Sequence, residues 1–134
     1  MPTWARGTFE VELKPETPDD KDQGTTLGRT SISKQYHGAL EATSRGEMLT
    51  AMTSVEGSAG YVAIERVRGS LGGKDGSFVL QHHGLMTRGA PRLTVGVVPD
   101  SGSGKLSGLS GRMTIRIEKG IHYYEFEYSI RPKP

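Results

Sequence analysis

The chain has 134 residues, 34% of them hydrophobic and 24% charged, and a formal net charge of +2. That is enough chain for one domain around one core, and its interleaved acidic and basic residues argue against a nucleic-acid partner. Cysteine is absent, which excludes a disulfide framework and a thiolate metal site.

No apolar run approaches bilayer-spanning length. The start, Met1-Pro2-Thr3-Trp4-Ala5-Arg6-Gly7, lacks the apolar core of a signal peptide. A soluble, cytoplasmic protein with no membrane partner is therefore expected.

Apolar residues recur with a period of two, which predicts strands and no amphipathic helix of useful length. The first strand spans residues 5–14, with Phe9, Val11 and Leu13 on one face and Thr8, Glu10, Glu12 and Lys14 on the other. Residues 15–24, polar and holding two prolines, read as a long loop. Further strands are predicted at 27–37, 39–53 (with a bulge at Gly46), 60–71, 76–87, 92–98, 112–118 and 121–130. Residues 99–111, rich in serine and glycine, form a second loop. The expectation is a single all-β domain over 1–134, an eight-stranded antiparallel closed barrel of calycin-like type.

Hairpin registers follow from the turns. Lys119-Gly120 as a two-residue turn pairs Glu118 with Ile121, Ile117 with His122 and Met113 with Phe126. Gly89-Ala90 as another pairs Met86 with Leu93 and His82 with Val97. A four-residue loop between Leu71 and Gly76 sets Tyr61 against Met86 and Ala63 against Gly84. It also sets Glu65 against His82. Closure of the barrel should bring Phe9 and Val11 near Phe126 and Tyr128.

Glu65 and His82 thus point together into an apolar interior, where a carboxylate is costly unless paired or protonated. Two readings stay open. The pair is either a catalytic acid–base or orienting centre, or a structural tie between two strands. Tyr61, Tyr124, Met86 and Val97 fall on the same inward face as ligand-lining candidates. Gln35 joins them if His37-Gly38 forms the second hairpin turn. The inferred ligand is a small hydrophobic molecule.

No metal or other cofactor is expected. The adjacent His82 and His83 point to opposite faces of a strand. The stretch Ser101-Gly102-Ser103-Gly104-Lys105-Leu106 lacks the Ser or Thr of a phosphate loop. Outward-facing Val62, Ile64, Val79 and Leu85 suggest self-association as a homo-dimer or homo-trimer. Three functions compete: a cofactor-free enzyme, a carrier or sensor, and a filled-barrel interaction protein.

The strings Gly60-Tyr61-Val62-Ala63-Ile64-Glu65-Arg66-Val67 and Ser77-Phe78-Val79-Leu80-Gln81-His82 are distinctive. So are the run from Val98 to Leu109, His122-Tyr123-Tyr124 and Glu127-Tyr128. Across residues 7–130 the chain resembles a bacterial family of uncharacterised proteins, domain-of-unknown-function family 3224. That resemblance implies a barrel of the allene oxide cyclase type. Kinship with that enzyme, and with bacterial barrels that steer polyketide cyclisation, suggests a pocket that folds a flexible apolar substrate, as in a cofactor-free cyclase or isomerase. The cysteine in that cyclase's pocket has no counterpart here.

Overall fold

The computed structural model describes residues 2–132. Its strands are β1 (Thr3–Asp22), β2 (Thr25–Gly38), β3 (Leu40–Met52), β4 (Ala59–Leu71), β5 (Lys74–Thr87), β6 (Ala90–Val97), β7 (Ser103–Gly104), β8 (Leu109–Glu118) and β9 (Ile121–Ile130). The order is β4-β3-β2-β1-β9-β8-β6-β5, and β4 pairs with β5 to complete the ring. Eight long antiparallel strands therefore close a barrel, while the two-residue β7 pairs with the start of β5. No helix long and apolar enough to cross a membrane occurs among the described residues.

The two ends of the barrel differ. At one, the 98–108 segment folds underneath, anchored where the Lys105 amide donates to the Asp75 carbonyl at 2.9 Å. It buries Leu106 in the core cluster that also holds Leu40, Leu71 and Phe78. Phe126 stacks between Phe78 and Tyr128, with ring centroids 5.7 and 5.4 Å away. This is the closed end. The opposite end carries the turns at 23–24, 53–58, 88–89 and 119–120.

Several expectations need correction. Residues 15–22 are strand, not loop: β1 stays paired with β2 as far as Asp22↔Thr25, across an irregularity between Glu16 and Asp20. Pairing of β1 with β9 stops at Phe9↔His122. Beyond that point β1 has a free edge, where Pro15 removes no ladder hydrogen bond. The same register places Ala5, not Phe9, opposite Phe126.

The β4–β5 turn is the two-residue Gly72-Gly73, with φ of 56° and 85°, because paired positive φ values match strand twist. This shifts the expected register by two residues, so Glu65 faces Leu80 and Ala63 faces His82. The β5–β6 turn is Arg88-Gly89, which shifts that hairpin by two as well, giving His82↔Val95 and Met86↔Pro91. The 53–58 loop fixes it: the Arg88 amide donates to Ser58 Oγ and the Gly89 amide to the Gly57 carbonyl, both at 3.0 Å. Shifts of two preserve which face is inward.

One expected register changes parity. Tyr36 pairs with Ala42 and Gln35 with Thr43, so Gln35 lies on the outer face, donating to the Tyr36 and Ala42 carbonyls. The corner is set from outside the hairpin. Gly38 takes a φ of 114°, and the Leu40 amide donates to Tyr124 Oη at 2.9 Å.

Gly46 sits in an unbroken ladder rather than a bulge. A Cβ there would lie 2.1 Å from the Ile64 carbonyl oxygen and 2.6 Å from Glu65 Cα. Backbone cannot yield without breaking the β3–β4 pairing. Gly46→Ala should cost about 1–3 kcal/mol of stability in a urea titration, and an unchanged midpoint would contradict this packing.

Candidate functional site

Four adjacent strands present polar side chains to one level of the interior: Lys34 and Tyr36 from β2, Ser44 from β3, Glu65 from β4 and His82 from β5. Gly46 is the cross-strand partner of Glu65, and its bare Cα leaves room for the carboxylate to reach across β3 to β2.

Glu65 is fully buried, at 0% exposure, and four donors surround it. Lys34 Nζ donates to Oε1 at 2.9 Å and His82 Nε2 to the same oxygen at 2.7 Å. Tyr36 Oη lies 3.1 Å from both oxygens, and Ser44 Oγ donates to Oε2 at 2.5 Å. Burial alone would push the carboxyl up. The His82 hydrogen bond, the Lys34 charge and the Ser44 hydrogen bond together outweigh it and hold the group at about 2. Glu65 is thus an ionised acceptor at neutral pH. Burial, reinforced by the Glu65 charge, raises the Tyr36 hydroxyl well above its ordinary value, and Tyr61 is raised for the same reasons. Lys34 is enclosed as well, its ammonium 4.8 Å from the Phe9 ring centroid.

Above this layer the interior opens. Met86, Leu93 and Ile117, on the inward-facing registers, are 42%, 40% and 64% exposed. The wall parts there too, because β6 and β8 pair only at Val95↔Met113 and Gly96↔Arg112. Tyr61 lies across Gly84, where a Cβ would come 2.3 Å from its Cε1, and its ring centroid is 6.3 Å from that of His82.

The structure therefore brings Glu65 and His82 into contact, diagonally rather than directly opposite. Tyr61 and Met86 stand at the open end above them. Val97 lies lower, paired with Leu80 and packed against the core. Tyr124 is buried, with its hydroxyl used by backbone at the β2–β3 corner: it accepts from the Leu40 amide and donates to the His37 carbonyl at 3.0 Å. Gln35, on the outside, is no part of the cluster.

Sequence reasoning missed Lys34, Tyr36 and Ser44. One signal was available. An ionised carboxylate inside an apolar barrel demands a cation, and Lys34 is the inward-facing lysine that meets it.

Two surface grooves lie elsewhere. One of about 280 Å³ is lined by Pro2, Arg112, Glu127 and neighbours. The other, about 710 Å³, is lined by Arg6, Thr8, Arg116, Tyr123, Glu125 and neighbours. Neither includes Lys34, Tyr36, Ser44, Glu65 or His82, and both are walled largely by outer-face side chains, although the larger also touches Ile115 and Tyr124. Among the described residues no three His, Asp or Glu side chains are grouped to hold a metal ion. Val62, Ile64 and Leu85 are half-exposed on the outer face, and Val79 is less so.

No curated protein matches the chain in sequence. It is similar to a solved structure from Shewanella oneidensis MR-1, described as a protein with unknown function from the DUF3224 family. The two are 53% identical, the match covers 98% of this chain and 100% of that one, and the TM-score is 0.94. Residues 5–128 match the family described as "Protein of unknown function (DUF3224)", and the chain belongs to that family.

Proposed function

We propose that the protein binds a small, mainly apolar molecule in the open end of the barrel, above the Lys34–Glu65–His82 floor. One observation carries this: inward-register apolar residues at that end, Met86, Leu93 and Ile117, are 40–64% exposed, whereas the closed end is filled. An eight-stranded barrel can hold one small ligand, and an apolar wall with a few convergent polar groups suits orienting it.

A cofactor-free isomerase or cyclase is a second reading, favoured by the contact between a buried carboxylate and an imidazole. In it His82 transfers the proton and Glu65, saturated by its four donors, acts only as a positioning residue.

Titration with 1-methoxynaphthalene, followed by its fluorescence, tests the binding reading. The wild-type protein should bind it saturably, and Leu93→Glu should weaken binding about tenfold or more by setting a charge in the apolar wall, with the urea midpoint little changed. Absence of saturable binding, or equal binding by the variant, would count against the site.

A further inference from the structure

The polar floor offers the interior a specific hydrogen-bonding face. Both Glu65 oxygens are occupied by donors, and the hydroxyls of Tyr36 and Ser44 are spent on them. The Lys34 and Glu65 charges offset one another. The remaining member is His82, only 3% exposed.

Its protonation pattern follows from its partner. An ionised carboxylate has nothing to donate, so the 2.7 Å contact requires the hydrogen on Nε2. A neutral imidazole with hydrogen on Nε2 carries a lone pair on Nδ1. That atom has no hydrogen-bond partner among the described residues. Every fully occluded side-chain nitrogen or oxygen among them does have one. Nδ1 therefore touches space open to at least a water molecule, and the floor presents a lone acceptor held in place by Glu65.

Building on the proposed binding site, we infer that its ligand is a neutral apolar molecule bearing a hydroxyl or enol O–H, which donates a hydrogen bond to Nδ1 of His82. An ether, hydrocarbon or other ligand without a donor leaves Nδ1 desolvated and unpaired, and loses affinity by that amount. Because the charges beneath His82 cancel, the site favours a neutral donor over an anion.

Matched probes of nearly equal shape test this: 1-naphthol, which donates, and 1-methoxynaphthalene, which cannot. At neutral pH the wild-type protein should bind 1-naphthol about tenfold more tightly, as one added buried hydrogen bond implies. His82→Phe should erase that preference while still binding the ether. Nitrogen NMR of the wild-type imidazole adds a readout that needs no variant. Nε2 should be protonated and Nδ1 bare, and 1-naphthol but not the ether should shift the Nδ1 signal. Equal affinity for both probes, or hydrogen found on Nδ1, overturns the inference and leaves the apolar pocket standing. Failure of both probes to bind removes the pocket and the inference together.

Discussion

Replacing Glu65 with Leu should destabilise the barrel by about 3–5 kcal/mol, because it strands the Lys34 ammonium in an interior with no other buried carboxylate among the described residues. The cost lies in the uncompensated charge more than in the lost attraction. Removing both charges should therefore be gentler than removing one, and Lys34→Met combined with Glu65→Leu should recover most of the loss. Urea unfolding of the two single variants and the double variant measures the coupling directly. A double variant no more stable than Glu65→Leu alone would mean that Lys34 is not balanced by Glu65.

Acid should unfold the protein through the same residue. The Glu65 carboxyl sits at about 2 in the folded chain, against an ordinary 4.5. A depressed acid stabilises the fold fully above its unfolded value, and that stability drains away as pH falls through the folded one. The window accordingly runs from about pH 5 down to about pH 2, and the loss across it is about 3 kcal/mol. Glu65→Gln has no carboxyl to protonate, so its urea midpoint should fall much less over that range. Parallel slopes for the wild-type and variant proteins would place the acid sensitivity elsewhere.

The barrel was legible because its strands alternate cleanly. In β8 and β9 the Lys119-Gly120 turn gives the observed pairing residue for residue. Glu65 and His82 were legible as partners because a register error of two leaves faces unchanged, and diagonal neighbours remain within reach of long side chains. What stayed hidden depended on contacts distant in sequence. Nothing near Gly38 announces that Tyr124 will hold the β2–β3 corner, and that corner decides whether Gln35 or Tyr36 faces inward. β2 is polar on both faces, so its own pattern carries no preference, and Lys34 and Tyr36 were lost with it. Prolines at 15 and 18 read as loop because the free edge of β1 exists only where its pairing with β9 has stopped, at Phe9↔His122.

A crystal structure of the protein soaked with 1-naphthol tests the binding site most directly. The ring is expected among Tyr61, Met86 and Leu93, with its oxygen within hydrogen-bonding distance of His82 Nδ1. Naphthol seated only in the outer groove beside Arg116 and Tyr123, or an open end filled by its own rim side chains, would contradict it.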